Sequence, residues 1–117
     1  MANTLFVLND PPYGTERSYN GLRLAVSLAK REGESVRIFL MGDAASCAKA
    51  GQKVPQGYYR IEALLQVASR QGAGIAACGT CMEARGITDS ELTDGVVRGT
   101  LEQLADWTVW ADRALVF

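Results

Sequence analysis

Short runs of consecutive apolar residues alternate along this chain with longer stretches whose apolar positions recur every three or four residues. That alternation predicts strands interleaved with helices. Thr4 to Leu8 is an apolar run closed by Asn9-Asp10-Pro11-Pro12, a buried strand and its turn. Thr15 to Glu32 follows as a helix, with Leu22, Ala25, Val26 and Ala29 on one face and Gly33 as its stop. Ser35 to Met41 is the second strand, closed by Gly42-Asp43. Asp43 then caps a short helix through Ala50, ended by Gly51. Gln52 to Gly57 reads as a loop, and Tyr58 to Gln71 as a helix with Tyr58, Ile61, Leu65 and Ala68 on one face. Gly74 to Cys78 is a third strand of small residues, and Val96-Val97 a short fourth. Thr100 is placed to cap a helix through Ala111, and Ala114 to Phe117 is the last strand.

Five strands separated by helices predict a mostly parallel α/β sheet with helices on both faces. In such sheets chemistry gathers at the carboxyl ends of strands. Asp10 to Thr15, Gly42-Asp43 and Cys78 to Cys81 all fall at such ends, so one edge of the sheet should collect them.

Composition narrows the class. The chain has 117 residues, the size of one domain, since soluble domains most often run to about 100–150. Its 12 basic and 13 acidic residues are spread without a basic block or stripe, which argues against nucleic acid and anionic lipid as partners. The first residues lack the charged and apolar regions of a signal peptide, and no apolar run approaches a membrane span. Three cysteines, Cys47, Cys78 and Cys81, are too few and odd in number for a disulfide scaffold. A reducing cytoplasm is the expected setting.

Cys78-Gly79-Thr80-Cys81 is the segment with chemistry in it. Cys78 ends the third strand and Cys81 falls in the first turn of the helix after it, where unpaired N–H groups favour a thiolate. A lowered thiol pKa makes cysteine a nucleophile near neutral pH. Gly79 removes bulk so that a second sulfur can approach, Arg85 adds a cation one turn on, and Gly86 stops the helix. Two inert thiols packed under the sheet edge are the plain alternative, which would make this a non-catalytic oligomeric interaction protein. A zinc site wants four cysteine or histidine ligands, and this chain has three cysteines and no histidine, so no metal is expected. The missing histidine also removes a Cys–His nucleophile pair. A thioredoxin-type dithiol is a stronger rival, although that motif follows the first strand of its fold and Pro11, Pro12 and Pro55 all precede it here.

Three segments together carry a family resemblance. Asn9 to Arg17 with Asn20 to Ala25, then CGTCMEARGI from Cys78 to Ile87, then Leu104 to Thr108 with Ala111 to Phe117, resemble the DsrE/DsrF-like (YchN-like) sulfur-relay family in order, over nearly the whole chain. The resemblance implies one compact α/β domain over residues 1–117, of flavodoxin-like layering, that assembles into trimers or hexamers. It implies a cysteine that carries a persulfide between a sulfur donor and an acceptor protein, with no cofactor. Counting back from Arg85-Gly86 aligns that carrier with Cys78. Cys81 matches a position that some relay members fill otherwise, which leaves room for a disulfide or polysulfide.

Tyr13, Glu16 and Arg17 could line the same edge, against a docked partner or the persulfide; a stiff Pro-Pro turn and a capped helix explain the segment equally well. It makes a poor phosphate loop, because Gly14 stands alone and Glu16 repels an anion, so flavin and nucleotide are not expected. Cys47 should pack the short second helix. Trp107 and Trp110, with Leu104 and Ala111, form an apolar stripe on a helix whose other face carries Val109; such a helix is either deeply buried or at a subunit contact.

Overall fold

A computed structural model describes residues 2–56 and 59–117. Gly57 and Tyr58, the expected end of the loop and first residue of the following helix, lie outside the described residues. Strands β1 (Ala2–Leu8), β2 (Glu34–Leu40), β3 (Gly74–Cys78), β4 (Val96–Gly99) and β5 (Arg113–Val116) form one sheet in the order β4-β3-β2-β1-β5. Every pairing is parallel, where a mostly parallel sheet was expected. Helices α1 (Arg17–Ala29), α2 (Ile61–Arg70), α3 (Gly79–Ala84) and α4 (Leu101–Trp110) supply crossovers, with a 3-10 helix at Gly42–Ala48 and another at Asp89–Glu91.

Several boundaries differ from the sequence expectation, α1 for example ending at Ala29 and not Glu32, and three of the differences have a clear local reason. Helix α1 starts at Arg17, not Thr15, because the Thr15 hydroxyl donates to Asp10 Oδ2 at 2.8 Å and accepts from the Arg17 N–H at 3.3 Å, drawing the chain into a turn. The segment after β2 is a 3-10 helix that stops at Ala48. There the backbone turns away, and Lys49 forms a lone antiparallel bridge to Leu92. Its cap position is Met41, without a side-chain hydrogen bond, so Asp43 is not the cap it was expected to be. Helix α2 begins at Ile61, and Tyr59 instead stacks on Tyr19 with ring centroids 3.9 Å apart.

The sheet is covered unevenly. Phe6, Leu8, Val36, Ile38, Leu40, Ile75 and Ala77 bury one face against α1, α2, α3 and the first 3-10 helix, which contribute Leu22, Ala25, Leu65, Ala68, Met82 and Cys47. At roughly 1.5–3 kcal/mol per large apolar side chain, this face supplies most of the hydrophobic stabilisation. The opposite face buries only Leu5, Phe39 and Ala76, under α4 alone, through Leu104 and Trp107. The Thr100 side chain caps α4 by accepting from the Gln103 N–H at 3.1 Å. No residue of α4 is fully buried. Arg37 of β2 lies over both Trp107 and Trp110, fixing the helix at the amino end of the sheet. The carboxyl end of that face is left open around half-buried Val7, Met41 and Cys78.

Candidate functional site

Cys78 is the last residue of β3, opposite Gly99 of β4, and caps the start of α3. Half-buried, it stands in a cavity of about 340 Å³ lined by Phe39, Met41, Thr80, Cys81, Arg98 and Leu101, among others. Its sulfur shares a hydrogen bond with Thr80 Oγ1 at 3.3 Å. All three cysteines are free thiols. Partial burial opposes a charge on Cys78, but the side chains of Cys81 and Thr80 and their backbone N–H groups outweigh it. The Cys78 thiol therefore ionises below the ordinary thiol range. Cys81 moves the other way: burial, then the neighbouring Cys78, push its pKa up.

Cys81 is also half-buried, and its sulfur accepts a hydrogen bond from the Gly42 N–H at 3.2 Å. Arg85 closes α3 and reaches across to the first 3-10 helix. Its Nε and Nη2 both donate to Asp43 Oδ1, at 3.1 and 2.6 Å, and its Nη1 donates to the Cys81 carbonyl at 3.0 Å. The cation expected beside the cysteines is thus committed to a carboxylate.

The space expected to stay free above Gly79 is taken. A Cβ at Gly79 would lie 2.8 Å from Arg98 Nε and 3.0 Å from Cζ, so the glycine admits the flat guanidinium of Arg98, not a second sulfur. Arg98 is anchored by Glu83 and by Asp89, the latter at 3.3 Å. The β1–α1 loop occupies the same sheet edge but makes other contacts. Tyr13 stacks on Tyr59 and its hydroxyl accepts from the Ile61 N–H. Arg17 pairs with Asp10 at 3.9 Å, and Glu16 is exposed at the N-cap of α1. None of the three is among the residues lining the cavity at Cys78. Cys47 is buried in the main core, as expected, its thiol donating to the Asp10 carbonyl at 3.7 Å. Among the described residues no cluster of cysteine and carboxylate side chains is arranged to hold a metal ion. Nor is any helix among them long and apolar enough to cross a membrane.

This arrangement, with the sequence behind it, has relatives. The sequence profile of the DsrE/DsrF-like family matches residues 2–117. The chain belongs to the DsrE/DsrF-like family. Protein YchN of Escherichia coli K12 is 42% identical over 118 residues, covering all of both chains. A Methanopyrus kandleri protein is 38% identical over 111 residues, covering 95% of this chain and 90% of its own. The crystal structure of the E. coli YchN protein superposes over the full length of both chains with a TM-score of 0.94. A Methanobacterium thermoautotrophicum protein at 12% identity shares the fold, with a TM-score of 0.75 over all of both chains. The DsrE/DsrF-like family is associated with sulfur relay.

Arg98 escaped the sequence reading, and Gly42 was placed at the right edge but given no contact with Cys81. Arg98 sits in a four-residue edge strand with no spacing to single it out. Gly42-Asp43 had been placed at the reactive edge, and an unused acidic residue there, opposite Arg85, was the available signal.

Proposed function

We propose that this protein is a sulfur carrier that holds a persulfide on Cys78 and passes the outer sulfur to a partner thiol. The observation that carries this reading is the setting of Cys78. It is a thiol whose ionisation its neighbours favour, at a strand's carboxyl end, in a cavity on the half of the sheet face that α4 leaves open. An exchange between protein thiols needs both an anionic sulfur and room for a second protein to reach it.

The steps balance without a cofactor or metal. The Cys78 thiolate attacks the outer sulfur of a donor persulfide, a sulfur–sulfur bond forms at Cys78 as the donor's own S–S bond breaks, and the donor leaves as a thiolate. Cys78 then carries –S–SH, a reversible state of cysteine. Delivery repeats the exchange, with an acceptor thiolate attacking the outer sulfur and Cys78 leaving as thiolate. Thr80 and the N–H groups beside it stabilise the anion at both ends of the cycle. Donor and acceptor are proteins in a reducing compartment, and Tyr13, Glu16 and Arg17, on the same sheet edge, meet the docked partner. The unpartnered apolar surface supports assembly with further copies of the chain, as a trimer or hexamer. It includes Val97, Leu101 and Val116, which are 55%, 69% and 68% exposed.

A second reading is favoured by the free, paired thiols: a dithiol–disulfide exchange in which Cys81 attacks the inner sulfur of Cys78, releasing hydrosulfide and leaving a Cys78–Cys81 disulfide. Mass spectrometry separates the two. The reduced protein is incubated with a persulfide donor and trapped by alkylation, as wild type, Cys78→Ser and Cys81→Ser. One added sulfur on Cys78, retained in Cys81→Ser and passed to an acceptor thiol, is expected. A disulfide with no sulfur retained would give the site to the second reading, and two unreactive thiols would remove both.

A further inference from the structure

The network around the cysteines is built on the second thiol. Gly42 has φ +54°, the left-handed region, at the hand-over from β2 to the 3-10 helix, and its N–H points at Cys81 Sγ from 3.2 Å. The next residue, Asp43, takes two hydrogen bonds from Arg85 on one carboxylate oxygen, while the same guanidinium holds the carbonyl of Cys81 itself. One side chain therefore ties the head of the 3-10 helix to the first turn of α3, at Asp43 beside Gly42 and at Cys81 itself. A sulfur whose lone pair is occupied by an N–H directs its own S–H elsewhere. Cys78 and Cys81, three apart across the start of the helix, line the same cavity, so Cys78 lies on the side still open to that proton.

We infer that Asp43 and Arg85 are positioning residues for Cys81, keeping its thiol turned toward Cys78 as a hydrogen-bond donor to the sulfur anion there, thiolate or persulfide. This rests on the reading of Cys78 as the reactive sulfur and assigns Cys81 a role in it. Cys81 serves the carrier as a proton-bearing neighbour, not as a second nucleophile. The opposite displacement of the two thiols, Cys78 down and Cys81 up, agrees with a shared proton residing on Cys81. The other charged groups packed around the pair are Arg98 of β4, Glu83 of α3 and Asp89 of the second 3-10 helix. Arg98 lies over Gly79 with its charge shared between Glu83 and Asp89, whereas Arg85, paired with Asp43, bonds to the backbone of Cys81 itself.

The hydroxyl of serine can donate the same hydrogen bond but cannot form a disulfide, whereas alanine does neither. The test is the pH profile of Cys78 alkylation, mapped to that residue, in Cys81→Ala, Cys81→Ser, Asp43→Ala and the Asp43→Ala/Cys81→Ala double variant. Cys81→Ala and Asp43→Ala should each move the midpoint upward and slow alkylation at neutral pH by roughly three- to ten-fold. Cys81→Ser should stay within about two-fold of wild type. The double variant should react no more slowly than Cys81→Ala, because Asp43 acts through Cys81. A wild-type midpoint in Cys81→Ala overturns the inference, as does a Cys81→Ser profile matching Cys81→Ala, or additive effects in the double variant. Sulfur loading is scored on the same proteins. The expected midpoints with no sulfur held would remove the carrier and leave the positioning role, and a persulfide on Cys78 with unmoved midpoints would do the reverse.

Discussion

Gly79 shows how a single missing side chain shapes the site. Its backbone is the floor on which the Arg98 guanidinium lies, and any β-carbon there would stand 2.8–3.1 Å from three of that group's atoms. The atoms in the way are the far end of an exposed side chain and not backbone, so Gly79→Ala should displace them without unfolding the chain. The ion pairs of Arg98 with Glu83 and Asp89 are solvent-exposed pairs that add little to stability. Alanine also suits the first turn of a helix better than glycine, by up to about 1 kcal/mol. Stability should therefore change by no more than about 1 kcal/mol, while the wall of the Cys78 cavity loses its cation. Alkylation of Cys78 with anionic iodoacetate and neutral iodoacetamide reads that charge directly. The anionic-to-neutral rate ratio should fall roughly two- to five-fold in Gly79→Ala and in Arg98→Ala alike, and less at high salt. Equal ratios in wild type and both variants would mean that Arg98 does not act on the thiolate.

At the scale of elements, the parallel sheet and four of its helices were legible because apolar runs and three-four spacings report burial directly. The strand Gly74–Cys78 and the Thr100 cap were readable to the residue. Less legible were features decided by contacts between distant segments. Lys49 leaves its helix to pair with Leu92, and Asp43 serves Arg85 instead of its own helix end. At the site, the CGTC motif announced itself by spacing, while Arg98, distant in sequence from the cysteines, was brought to them only by the β3–β4 pairing. The apolar α4 posed a choice between deep burial and a subunit contact; none of its residues is fully buried, and Leu104 and Trp107 pack half-buried against the sheet. Val116 and Val97 flank the uncovered sheet on its two edge strands, in register with Val7 and Ala76 on that face. Val116→Lys and Val97→Lys touch no core position, so the monomer should keep its stability to within about 0.5 kcal/mol. Light scattering should nonetheless show an assembled wild type reduced to a smaller species, since buried lysines oppose an apolar interface. An unchanged mass in both variants would place the contact between copies on another surface.

For the whole molecule, the three thiols set opposite responses to pH. Cys78 ionises more readily folded than unfolded, so its contribution is present above the unfolded thiol pKa and lost as pH falls through its lower folded value. Cys47 does the reverse. It is 1% exposed in the main core, and burial pushes its thiol from 9.0 up to about 12. Below pH 9 both folded and unfolded chains keep that proton; between 9 and about 12 only the unfolded chain releases it. Stability is therefore whole below that window and falls through it by about 1.4 kcal/mol per pH unit. Against a total of roughly 5–15 kcal/mol for a domain, three such units are a large share. The measurement is urea unfolding at fixed protein concentration in a Cys78→Ser/Cys81→Ser background, with and without Cys47→Ala. Removing the Cys47 sulfur leaves a small void at every pH, so the alanine variant starts less stable. Its curve should then stay flatter as pH rises, and the two should converge above pH 9. Parallel curves across that range would show that the buried thiol ionises outside it, and that alkaline unfolding is driven by other groups.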